Sequence, residues 1–234
     1  YQPDTLRQIC ALKKHLMERE AKGALNSIDD WIRMVAINRL TGHSPGFFSV
    51  YTMPPNQAVT VEVQRKINRD RDQTPSFRDV RKILLKKSAS LLSDCAASLR
   101  AVLQDRRPAL LTQDCASAPE IRGGSVQLVV TSPPFLDVVN YAADNWLRCW
   151  FIGIDSRNVR LSILKKIDDW QAKMTAVFRD LRRVLAPGGH VAFEVGEVRG
   201  GQVRLEEIVV PAALAAGLEP VLILINQQQF TKTA

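Results

Sequence analysis

The chain has 234 residues, 46% of them hydrophobic, and its 32 Lys/Arg against 24 Asp/Glu leave a formal net charge of +8. That length supports one large domain or two small ones around a sizeable core, and the composition is that of an ordinary globular protein. No apolar run approaches the roughly 18 to 20 residues of a membrane span and no secretory leader is visible, so a membrane or exported protein is not expected.

The charge excess lies wholly in the first part: residues 1–107 carry 19 Lys/Arg and 11 Asp/Glu, residues 108–234 carry 13 of each. A basic half is either a solvated surface or a face for a polyanion, since lysines and arginines that neutralise phosphates supply most nonspecific affinity for nucleic acid. Residues 1–107 read as a mainly helical region. In "SIDDWIRMVAINRL", Ser27 is the expected N-cap with Asp30 three residues on, and Ile28, Trp31, Ile32, Val35 and Ala36 share one face, the stripe of a core helix. "TGHSPGFFSVYTMPPNQAV" (41–59) has glycines, prolines and aromatics without a helical period and reads as an ordered loop or a pair of short strands. The densest basic segment, 63–87, holds Arg65, Lys66 and Arg69, and its interleaved Asp70, Asp72 and Asp79 point to an ordered element rather than a tail. His15 and His43 have no evident catalytic partner.

From about residue 108 the pattern becomes alternating strands and helices, the signature of a mainly parallel α/β sheet. "ALLTQD" (109–114) is a candidate strand ending at Asp114, and "VQLVVT" (126–131) is the next, with the continuous apolar run of a strand covered on both faces. "DDWQAKMTAVFRDLRRVL" places Trp170, Met174, Val177, Phe178 and Leu181 on one helical face, and Pro187-Gly188-Gly189 stops it. A strand "HVAFEV", a helix near "LEEIVVPAALAAG" and a strand "VLILIN" (221–226) follow, with His190 read as structural.

Cys10, Cys95, Cys115 and Cys149 show neither CxxC spacing nor Cys/His clustering. They suggest no zinc site or other metal site and no disulfide framework, and read as reduced thiols of a cytoplasmic protein. The chain opens on Tyr1 rather than Met and stops at Thr-Lys-Thr-Ala, as expected of a fragment.

The most informative stretch is the end of the strand at 126–131. Ser132-Pro133-Pro134-Phe135 follows it, and two prolines remove two backbone donors and hold φ near −65°, so the chain leaves the sheet at its carboxyl edge in a stiff turn. In open α/β sheets that edge is where ligands bind. A bare Pro-Pro there is most simply a rigid loop; the Thr-Ser before it and the aromatic after it are what raise a functional reading.

The succession Leu-Thr-Gln-Asp114, "GGSVQLVVTSPPF", "NY" and "LRRVLAPGGHVAFEVGE" resembles the amino-methylating DNA methyltransferases, which depend on S-adenosylmethionine. The resemblance covers roughly residues 108–226. It implies a Rossmann-like class I methyltransferase sheet in a catalytic subdomain at 108–234, with residues 1–107 as an insertion or target-recognition segment. It further implies that Ser132, Pro133, Pro134 and Phe135 form the catalytic turn, that Asp114 contacts the cofactor's adenine with Cys115 and Thr131 beside it, and that Asn140 and Tyr141 face the target base. Arg65, Lys66 and Arg69 then belong to the DNA-contacting surface, and a restriction endonuclease is a possible partner. The serine form of the turn is associated in the family with cytosine N4; adenine N6 in DNA or RNA is the alternative, and a noncatalytic nucleic-acid-binding methyltransferase-like subunit is another. The chemistry fits these residue types. An exocyclic amine is a poor nucleophile because its lone pair is delocalised into the ring, and acceptors such as Ser132 Oγ and the Pro133 carbonyl would localise that pair on nitrogen. Phe135 would stack on a base flipped out of the duplex. An Asp at a strand end is also a common cap for the next turn.

One family feature is missing. No Phe-x-Gly-x-Gly type turn follows a predicted strand: Gly23, Gly42 and Gly46 are the only glycines before Gly123, and Gly188-Gly189 precedes a strand. The strand carrying that turn would lie beside 126–131, which without it would expose a ladder of unpaired backbone groups. The expectation is that residues beyond this sequence supply it, with completion by a second chain or a defective relic as alternatives.

Overall fold

The computed structural model describes residues 1–53, 58–96, 98–99, 101, 108–134, 136, 141–198 and 202–226. The chain divides into two compact units, one of Tyr1–Pro108 with Asn140–Leu161 and one of Ala109–Val139 with Ser162–Ala234. Residues 140–161, placed with the second half by the composition shift at 108, thus group with the first unit.

The first unit is helical: α1 (Pro3–Ala21), α2 (Ser27–Ile37), α3 (Val61–Asp70), α4 (Val80–Leu92) and α5 (Tyr141–Phe151). Each of the first four starts on a side chain that accepts from the orphan amides of its first turn: Gln2, Asn26, Thr60 and Asp79. The α2 cap lies one residue earlier than expected. Asn26, not Ser27, accepts from Ile28 and Asp29 at 3.0 Å each, and Asp29 returns a bond to the Asn26 amide, so the capping box closes on 26 and 29 rather than 27 and 30. Ile9, Leu16, Ala36, Leu40, Phe48, Val80, Leu147 and Phe151 form the core of this unit. Polar bonds lock α1 to the start of α4: Thr5 Oγ1 donates to the Arg78 carbonyl (3.0 Å) and accepts from its amide (2.7 Å), and Val80 N donates to Gln8 Oε1 (2.8 Å). The described part of 41–59 is loop, and the basic segment 63–87 is ordered as α3 and most of α4.

The second unit is α/β in class but holds little sheet. β1 (Val126–Thr131) pairs in parallel with β2 (Leu185–Phe193) through the connecting helix α6 (Ile167–Val184); β3 (Glu197–Val198) and β4 (Val203–Arg204) make a short antiparallel pair, and α7 (Glu206–Ala215) follows. Trp170, Met174, Val177 and Phe178 of α6 are buried with Leu136, Leu205, Ala212 and Ala216, as the helical stripe predicts.

Four expectations are corrected here. The helix stops at Val184, with Leu185 already in extended backbone (φ −65°, ψ 132°), so it ends short of Pro187. Pro187-Gly188-Gly189 instead forms a bulge inside β2: Val126 pairs with Leu185 but Leu128 with His190, and Gly188 sits at φ +74°. β1 is not covered on both faces, since Leu128 is 61% and Val130 75% exposed. Neither 109–114 nor 221–226 is a strand: Leu110 is 93% and Leu224 83% exposed, and no ladder partner for them is found among the described residues. A β-branched run becomes a strand only where a neighbour accepts its hydrogen bonds, and among the described residues β1 pairs with β2 alone.

Candidate active site

The diproline turn sits at the carboxyl end of β1, and its ends are held from three sides. Glu194 N donates to the Thr131 carbonyl at 2.9 Å, extending the parallel ladder one residue past β2. Trp170 Nε1 donates to the Pro134 carbonyl at 3.1 Å. Leu136, two residues on, is 1% exposed in the core beneath α6 and α7. Between these anchors Ser132 and Pro134 are exposed, Pro133 is half-buried, and Phe135 lies outside the described residues. The result is a stiff corner with its ends tied to the core and its serine facing outward.

Trp170 stands in the apolar stripe as a core residue, and its bond to the turn is what the stripe does not reveal. A buried indole needs a partner for its N–H, and the only signal available in sequence was that requirement. Phe178 packs against Phe193 with ring centroids 4.7 Å apart, so α6 bears on the last residue of β2, the one paired with Thr131.

Asp114 lies in a loop, not at a strand end. Its carboxylate accepts from Lys173 Nζ of α6 at 2.8 and 2.5 Å and from Ala116 N at 2.9 Å, while its carbonyl accepts from Ser117 N at 3.0 Å. The Lys173 bond and the Ala116 amide hold this carboxyl below its ordinary value. The backbone bonds of Asp114 are those of a loop cap, and Lys173 is an added partner that sequence spacing could not reveal. Cys115 beside it is exposed and Thr131 half-buried. The same loop is fastened further along α6: Asp180 accepts from Ala118 N (2.9 Å), and Arg183 donates to the carbonyls of Ile121 (2.9 Å) and Ala118 (2.7 Å). α6 thus positions both the approach to β1 and the turn that leaves it.

For S-adenosylmethionine the fit is partial. Asp114 offers a carboxylate and Cys115 an exposed neighbour, but the carboxylate already has two donors. The glycines before β1, Gly123 and Gly124, precede the strand rather than follow one, and among the described residues no glycine-rich turn follows β1 or β2 to cradle the methionine end. Among the described residues no group of three or more His, Cys, Asp or Glu is arranged to hold a metal ion.

The other predicted residues belong to the helical unit. Arg65, Lys66 and Arg69 are exposed on α3, with Arg65 and Arg69 four residues apart and so on one face, and Lys66 paired with Asp70 at 3.1 Å. Arg71 at the α3 terminus stacks on Tyr51, its guanidinium carbon 3.8 Å from the ring centroid. Tyr141 opens α5 half-buried, its carbonyl accepting from Asn145 Nδ2 at 2.9 Å; Asn140 lies outside the described residues.

No helix among the described residues is long and apolar enough to cross a membrane. The chain matches no family model, and no curated protein or solved structure is significantly similar to it.

Proposed function

We infer that the protein belongs with the S-adenosylmethionine-dependent amino-methyltransferases acting on DNA, with cytosine N4 ahead of adenine N6 as the acceptor. The observation that carries this reading is the anchored corner: Ser132 is exposed at the carboxyl end of a parallel strand while the bonds at Thr131 and Pro134 fix the backbone on either side. When bound, the cofactor supplies an electrophilic methyl group. The chain's part is to hold the acceptor: Ser132 Oγ and the Pro133 carbonyl accept the amine's hydrogens, and the rigid diproline keeps both in place without an ordering cost on binding. No side chain need remove a proton before attack, because the amine proton becomes acidic only after nitrogen gains the methyl group. A Rossmann-like sheet would require strands beyond β1 and β2.

Trp170→Phe keeps an aromatic ring in the core but gives up the indole N–H bond, worth about 1 kcal/mol net, and part of the ring system, with a further cost for the space left. On this reading it lowers methyl transfer by loosening the corner, while Ser132→Ala abolishes it; both leave cofactor affinity, measured by calorimetry, within about twofold. Equal loss of transfer and cofactor binding would place these residues in folding or in the cofactor site instead.

The exposed basic face of α3 favours a second reading, a noncatalytic nucleic-acid-binding subunit. Heat on titrating the cofactor into the protein separates the two: none is released if the fold serves binding alone.

A further inference from the structure

The helical unit holds a half-open cavity of about 320 Å³ that the methyl-transfer reading does not use, since no described residue of the diproline turn lines it. Its size lies at the lower end of the range for small-molecule sites, roughly 300 to 1,000 Å³. Leu6, Val50 and Leu147 supply apolar wall, Trp146 and Trp150 contribute indoles from successive turns of α5, and the polar lining includes Thr52 and the mutually hydrogen-bonded Gln64 and Asn68. None of the described lining residues has a charged side chain.

Two features restrict what such a space accepts. Thr52 is 1% exposed and its hydroxyl has no hydrogen-bond partner, an orphan that costs free energy until something satisfies it. The indoles are already held in place: Trp146 Nε1 donates to the Ala58 carbonyl at 3.2 Å, and Lys13 Nζ sits 5.4 Å from the Trp150 ring centroid. No described lining side chain is charged, so a charged ligand would lose its hydration without gaining a side-chain counter-ion. What remains is an uncharged ring with one polar group.

We propose that this cavity is a binding site for a neutral planar heteroaromatic molecule, stacked among Trp146 and Trp150 and hydrogen-bonded to Thr52. The ring replaces dispersion contacts that an empty apolar space forfeits. The Thr52 hydroxyl, reached by a χ1 rotation, gains its missing partner.

The test compares two probes of one shape, indole with its N–H and indene without it, titrated into the whole protein and followed by methyl NMR of Val50, Leu6 and Leu147. Saturable shifts confined to those methyls are expected, with indole binding about threefold to tenfold tighter than indene, the worth of one hydrogen bond. Thr52→Val keeps the side-chain shape and should remove that preference without lowering thermal stability. Ala58→Phe should block both probes, its fold checked by an unchanged amide spectrum elsewhere. Shifts that do not saturate, that spread over other methyls, or a preference that survives Thr52→Val would overturn the proposal.

Discussion

The helical unit and the α/β unit differ in how completely they satisfy themselves. In the first, each of α1 to α4 is capped by its own sequence neighbour and one core collects side chains from residues 9 to 151. In the second, α6 and α7 bury a core with Leu136 and Leu205, but the sheet is two strands with Leu128 and Val130 bare, and the aliphatic run 221–225 is exposed throughout. Helices close their hydrogen bonds within one segment, whereas strands borrow theirs from another. Among the described residues the α/β unit therefore buries its helices more fully than its strands.

The comparison breaks most visibly by cutting into the self-sufficient half. Ile9→Ala opens a cavity at a fully buried site and should cost about 2 to 5 kcal/mol, melting the helical unit while the amides of β1 and β2 keep their protection. Loss of protection in both halves at one temperature would make them a single cooperative body. Gly189→Ala is the matching cut in the other half. A Cβ there would lie 2.9 Å from the Ala186 carbonyl oxygen and 3.0 Å from that of Val126, so backbone must shift, at about 1 to 3 kcal/mol, and hydrogen exchange should accelerate in β1 and β2 alone.

A smaller effect comes from acid. The Arg183 hydrogen bond holds Asp180 below its ordinary value, as Lys173 does Asp114. A carboxyl depressed in the folded state contributes stability that is present above its unfolded value, near 3.8, and lost as pH falls through the folded one. Melting curves of the α/β unit should fall below about pH 4, and Asp180→Asn should flatten that limb by removing the titrating group.

How much was legible in sequence follows the same divide. The apolar stripe of α6 read correctly because a 3.6-residue period is carried by the segment itself. "VQLVVT" and "VLILIN" have the same local character, yet among the described residues the first alone finds a partner, in β2, and it alone is a strand. At the candidate site the Ser-Pro-Pro corner was legible because proline stiffness is local. Its anchors, Trp170 on Pro134 and Lys173 on Asp114, join residues 36 and 59 positions apart, and no short-range pattern encodes them.

The central claim is that the serine at the end of β1 holds an exocyclic amine for methylation. Its most direct test is mass spectrometry of DNA nucleosides from a methylation-free host expressing the protein that contains this chain, beside the Ser132→Ala variant. N4-methylcytosine is expected with the parent and none with the variant. No methylated amine in either, or an equal yield from both, would contradict it.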